Sequence, residues 1–169
     1  MAPLSDRLCM RRTTSALLLS VVVACSSEKH APTRASVTPA SVSAAQFAGL
    51  TWLEGRWRGA EANGTPFYES YASRTPTVIA TYNFQDSTFG TPSDSGQLTL
   101  RGDTLFSGSS TVQWVAVAID SLRVEFAPWR GASNHFVWER GAGQRWTATL
   151  RWDSAGTAKQ RQYEMRRVE

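Results

Sequence analysis

The sequence predicts an all-β domain: an antiparallel up-and-down β-barrel of about eight to ten strands with a short N-terminal capping helix. Three observations carry this. From Gly55 to the C-terminus, apolar and polar residues alternate with a period of two, which gives a strand one dry face and one wet face. Short runs of turn residues separate the alternating segments, so consecutive strands pair as hairpins. The only cysteines, Cys9 and Cys25, precede this region, so no disulfide staples it. The 7 Trp, 7 Phe and 4 Tyr supply bulk for a core instead.

Residues 1–24 read as a secretory signal. Arg7, Arg11 and Arg12 form a positive start, and Ala16 to Val23 form an apolar run. That run is too short to cross about 30 Å of hydrocarbon as a helix. It leads into Val22-Val23-Ala24-Cys25, which resembles a bacterial lipobox. The resemblance implies lipidation of Cys25 and a membrane anchor, since acyl chains contribute about 0.8 kcal/mol per buried CH₂. Ser26 rather than Asp behind the Cys implies the outer membrane, facing the periplasm. Residues 25–42 are the lipidated Cys and a flexible linker, small, polar and Pro-containing with no apolar period. The barrel domain then occupies 43–169.

Removing residues 1–24 lowers Lys+Arg from 18 to 15 and Asp+Glu from 14 to 13, so the net charge falls from +4 to +2. The remaining basic residues are spread over many strands. That distribution argues against a nucleic-acid partner, which calls for a clustered basic face.

Residues 43–53 read as a short helix. Ser43 and Gln46 have capping-box spacing, and Phe47, Leu50 and Leu53 share one face. Strands follow near 55–61, 66–72, 77–85, 95–101, 103–109, 112–119, 122–127, 134–140, 144–152 and 159–168. In several of them one parity is apolar: Val78, Ala80, Tyr82 and Phe84; Leu122, Val124 and Phe126; Phe136 and Trp138; Trp146, Ala148, Leu150 and Trp152. Asn63-Gly64, Arg101-Gly102-Asp103 and Gly141-Ala142-Gly143 mark turns; Arg101-Gly102-Asp103 spells a cell-adhesion tripeptide, but a hairpin glycine between polar residues explains it. Pro128 is expected to break the ladder and start an irregular loop up to Phe136. Closure into a barrel removes the bare edges that so many strands would leave, and a β-sandwich is the alternative.

At Gly55-Arg56-Trp57 the chain resembles lipocalins and the broader calycin group, and over 43–168 it resembles bacterial lipocalin-like lipoproteins. Those barrels open with a short helix followed by Gly-x-Trp, and a basic side chain on the last strand packs across the Trp. Here Tyr163 and Met165 should face inward, and Arg167 shares their parity, so the resemblance implies Arg167 over Trp57. Some such lipoproteins carry Asn-Pro-x-His-Asp-Phe-Pro in the later strands. This chain has Pro128-Trp129-Arg130-Gly131-Ala132 near that place and lacks the His-Asp pair.

No His, Cys or carboxylate cluster has the spacing of a metal site, and no glycine loop or Gly-x-Ser-x-Gly elbow occurs, so no cofactor is implied. His135 is out of parity with Phe136 and Trp138 and should point outward. Glu61, Glu69 and Glu125 lie on strands, but their parity alone does not bring them together. The reading that follows is a cup for a small hydrophobic or amphipathic ligand. Its lining would be Tyr82, Phe84, Trp114, Phe126, Trp138, Trp146 and Tyr163, with Trp57 at the closed end. The alternatives are a small barrel enzyme using a buried carboxylate or His135, and a ligand-free envelope interaction protein with a filled core.

Overall fold

A helical entry leads into ten antiparallel strands that close on themselves. The computed structural model describes residues 36–169. The expected signal segment, Cys25 and the linker up to residue 35 lie outside the described residues.

Helix α1 spans Ala44–Ala48 and continues as a 3-10 turn over Gly49–Leu53. Ser43 starts it with a reciprocal capping box: its hydroxyl accepts from the Gln46 N–H, and the Gln46 side chain accepts from the Ser43 N–H. Each bond satisfies a backbone donor that a helix start leaves without a partner. Residues 36–42, expected as the end of a flexible linker, lie against the barrel instead. The Ala40 N–H donates to Ala116 O at 2.8 Å, the Val42 N–H donates to Asp103 O at 2.7 Å, and the Val42 side chain is 1% exposed. An apolar side chain with two backbone anchors nearby outweighs the polar composition around it.

The strands are β1 (Gly55–Ala60), β2 (Pro66–Thr75), β3 (Val78–Phe84), β4 (Asp94–Arg101), β5 (Thr104–Gly108), β6 (Gln113–Ile119), β7 (Arg123–Arg130), β8 (His135–Arg140), β9 (Arg145–Ser154) and β10 (Thr157–Val168). Each pairs with the next, and β1 pairs with β10. One end of the barrel carries the helical entry and is filled by Phe47, Leu50, Leu53, Ile79, Leu98, Leu100 and Leu105. The other end, the mouth, carries the connections 61–65, 85–93, 109–112, 131–134 and 155–156.

Pro128 does not end β7, contrary to expectation. It pairs with Trp114 of β6, and β7 runs on to Arg130. The ladder between β7 and β8 stops at Phe126 opposite Phe136, so Pro128 lies where β7 has one neighbour, and its missing N–H leaves β8 nothing to lose.

Closure is uneven. β10 pairs with β9 from Thr157 to Arg166, but it meets β1 only at Arg166, Arg167 and Val168, opposite Arg58, Trp57 and Arg56. Toward the mouth the wall between them is completed by side chains. Phe67 and Tyr163 meet edge to face at 5.3 Å, and Arg161 Nη1 pairs with Glu61 Oε2 at 3.2 Å. Gly59 makes room for this, because a Cβ there would stand 2.2 Å from the Phe67 ring and 2.8 Å from Met165 Sδ.

The outer wall over β7–β10 is charged. Arg123 pairs with Glu125 and Glu139, Arg151 with Glu125, and Glu164 with Arg145 and Arg166. This is the reverse of a membrane-spanning barrel, whose outward band is apolar.

Candidate ligand-binding cavity

Trp57 anchors the inside of the barrel. Its indole N–H donates to Leu53 O at 2.6 Å, and Arg167, its partner across the ladder, holds its guanidinium 5.7 Å from the indole ring. Gly55 has φ +118°, and a Cβ on it would reach 2.8 Å from Arg167 Nη2. The glycine thus permits both the backbone turn into β1 and the position of the arginine.

Above Trp57 lies an aromatic layer. Trp146 stands edge-on to Trp57 at 6.0 Å and to Trp138 at 5.6 Å. Tyr71 stands edge-on to Trp138 at 5.7 Å and to Trp146 at 5.9 Å. Phe126 lies stacked on Phe136 at 4.7 Å. Edge-to-face contacts between rings contribute about 0.5–1.5 kcal/mol each beyond burial, so this layer is a rigid platform. The Trp146 indole N–H is buried with no acceptor among the described residues.

The platform is the floor of a cavity of about 780 Å³ that opens at the mouth. The cavity has two unlike walls. On one side stand Phe67, Trp114, Phe136, Leu150, Tyr163 and Met165. On the other, β3 to β5 and the following turn present Thr81, Asn83, Asp94, Ser95, Gly96, Ser107, Gly108, Ser109 and Thr111. The second wall stays low at its glycines, where a side chain would be crowded. A Cβ on Gly96 would stand 3.0 Å from Thr81 Oγ1, and one on Gly108 would stand 2.2 Å from Val112 O.

One carboxylate faces this space from within the barrel. Glu69 is opposite Trp57 on β1 and Asn83 on β3, so it shares their inward face. The Tyr71 hydroxyl donates to Glu69 Oε2 at 2.7 Å. Burial raises the Glu69 carboxyl above the ordinary glutamate range, with the Tyr71 hydrogen bond pulling the other way. Burial also raises the Tyr71 hydroxyl well above its ordinary value, and the neighbouring Glu69 charge adds to that. A carboxylate and a phenol in one hydrogen bond, opening onto an aromatic cavity, can hold a cation or move a proton.

Of the residues expected to line a cup, Trp114, Trp138, Trp146 and Tyr163 border the cavity. Trp114 is fixed by its indole N–H, which donates to Asn134 O at 2.9 Å and Asn134 Oδ1 at 3.0 Å. Phe126 is buried in the aromatic layer behind Phe136. Phe84 is not a lining residue. The register with β2 puts Thr81 and Asn83 opposite the inward Tyr71 and Glu69, so Tyr82 and Phe84 lie on the outer face. There Phe84 packs on Phe89 at 5.1 Å, Phe89 packs on Tyr68 at 5.7 Å, and the Arg56 guanidinium covers Phe89 at 4.9 Å. Tyr82 touches the cavity rim, but its ring leans toward Phe84 and its hydroxyl accepts from Arg74 Nη2 at 3.2 Å. β3 carries apolar residues on both faces, Val78-Ile79-Ala80, and alternation cannot tell which face an outer aromatic cluster will claim.

His135 is exposed and does not line the cavity. Trp129 lies on the outside near Phe106, 42% exposed. Among the described residues no group of three or more His, Cys, Asp or Glu side chains could hold a metal ion. Phe67, Tyr71, Thr81, Asn83 and Asn134 escaped the sequence reading, and Phe136, placed on an apolar strand face, was not among the expected lining residues. The parity they share with Trp57 through the β1–β2 and β2–β3 registers would have found Phe67, Tyr71, Thr81 and Asn83.

Comparison with protein-family models, curated proteins and solved structures finds no match for this chain. Its class is therefore defined by its own geometry: a closed all-β barrel with a short helix and an open interior, a fold compatible with ligand binding.

Proposed function

We propose that the domain is a lipocalin-like cup that holds one small amphipathic molecule, and that a lipid on Cys25 keeps it at the outer membrane of a bacterial envelope. The open cavity with one aromatic and one polar wall carries the binding part of this reading. Its volume falls within the few hundred to about 1,000 Å³ usual for small-molecule sites. A barrel built only to present its loops would fill that space with side chains, as small barrels do. The anchor rests on the order of the N-terminal features: positive start, apolar run, then Ala24-Cys25.

The hydrogen-bonded Glu69 and Tyr71 favour a second reading, an enzyme that uses Glu69 for proton transfer inside the cup. Native mass spectrometry of the full chain purified from bacterial membranes tests both. The cup predicts one reproducible small molecule bound in equal amount to the protein and recovered unchanged. An unoccupied protein that takes up no lipid or dye would sink the cup. A bound molecule that is converted on incubation would favour the enzyme.

A further inference from the structure

We propose that the cavity selects organic cations, a quaternary or protonated amine on an apolar body, with Glu69 as the counter-charge and the aromatic floor as the cage. The inference rests on the cup reading and adds the charge of the cargo.

Three observations lead to it. First, the cavity is short of positive charge. Among its described lining residues there is no Lys, Arg or His, while Glu61, Glu69 and Asp94 are present. Arg161 reaches the mouth, but it is engaged with Glu61 at 3.2 Å and with the Tyr163 hydroxyl at 3.4 Å. Asp94 sits exposed at the rim, where its Oδ1 accepts the Ser95 N–H. Glu69 lies deeper and forms no salt bridge among the described residues, its side-chain partner there being the Tyr71 hydroxyl.

Second, a carboxylate in such a place is costly unless a cation joins it. Burial raises its proton affinity, which is the same cost seen from the proton's side. Tyr71 donates a hydrogen bond to Glu69, an arrangement that suits an ionised acceptor. A bound ammonium would complete the pairing that the chain leaves half made.

Third, the carboxylate stands beside rings. The tyrosine that holds Glu69 is itself packed on Trp138 and Trp146, so charge and aromatic rings converge on one end of the cavity. Ring faces attract cations, most strongly when both are removed from water. An anionic amphiphile would meet the same rings, a like charge and no donor cation. Such a ligand is excluded by repulsion, so the site discriminates by sign as well as by fit.

Isothermal titration calorimetry with three probes of equal chain length tests the inference: decyltrimethylammonium, 1-decanol and decanoate, each below its micelle concentration. The expected order is ammonium, then alcohol, then carboxylate, with the ammonium favoured over the alcohol by roughly tenfold or more. In Glu69→Gln the preference for the ammonium over the alcohol should be lost. A melting curve checks that the variant is folded, and the wild-type series stands without it. Equal binding of ammonium and decanoate would overturn the inference and leave the cup standing. A cation preference that survives in Glu69→Gln would overturn the role of Glu69. No binding of any probe would overturn the cup and the inference together.

Discussion

Glu69 is the residue at which stability and the proposed cation binding pull apart. Burial holds its carboxyl above the ordinary range, so the folded chain binds that proton more tightly than the unfolded chain does. Folding is then favoured at pH below the unfolded value, and this contribution is lost as pH rises through the folded value. At neutral pH the carboxyl therefore costs stability relative to acid pH. Glu69→Gln keeps the shape and a carbonyl oxygen for Tyr71 while removing the charge. The variant should melt at a higher temperature than the wild type at neutral pH, and the difference should shrink as the pH falls into the carboxylate range. Scanning calorimetry across pH checks this; a lower melting temperature at neutral pH would contradict it. Around the cavity the other titratable groups are Glu61, Tyr71, Tyr82, Asp94 and Tyr163. They are common to both proteins, as are Asp86 and Glu164, whose carboxyls are held low by hydrogen bonds from Thr88 and Arg166. Apart from Tyr71, whose hydroxyl also responds to the Glu69 charge, their contributions cancel in the difference. The sequence shows Glu69 only as a carboxylate on a strand. Phe67, Glu69 and Tyr71 alternate with Tyr68, Ser70 and Ala72, and nothing in that pattern says which set faces in.

At the level of single elements, the spans were more legible than the faces. Each of the ten strands lies within a few residues of its expected position, because turn residues bound the segments and closure demands that each pair twice. The helix was legible from Ser43 and Gln46, since a capping box is a local signal. The inner face of β3 was not, because it depends on Phe89 folding back from the 85–93 connection, a contact made at a distance. The geometry of β1 is tied to one residue. Gly55 holds φ +118° at its start, with the Arg167 guanidinium against the space a side chain would need. Gly55→Ala should cost about 1–3 kcal/mol, the range for a non-glycine residue held in a sparsely populated backbone region. Chemical denaturation monitored by tryptophan fluorescence measures it. An unchanged midpoint would show that β1 can start without that backbone turn.

On the scale of the whole molecule, closure was legible and the cavity was not. Ten short strands with no helices between them leave a barrel as the economical way to hide the edges. An open interior is a difference between two large volumes, the enclosed space and the side chains in it. That difference turns on where small residues fall, such as Gly96, Ser107 and Gly108 on one wall. Sequence alternation assigns faces but does not sum volumes.

The side-chain closure between β10 and β1 has a kinetic consequence. Where neighbouring strands are laddered, the wall can part only by breaking ladder hydrogen bonds, a sub-global opening that is rare and slow. Between Phe67 and Tyr163 it can part by the turning of two rings, and rotamer changes are fast on that scale. Cargo too wide for the mouth would then enter on the timescale of ring motion, with the barrel still folded. Hydrogen exchange resolves the difference amide by amide. Along Thr157–Tyr163, amides aimed at β9 should exchange slowly, while the alternate amides, aimed at the gap, exchange quickly. Uniform protection along this stretch would mean that the gap does not breathe.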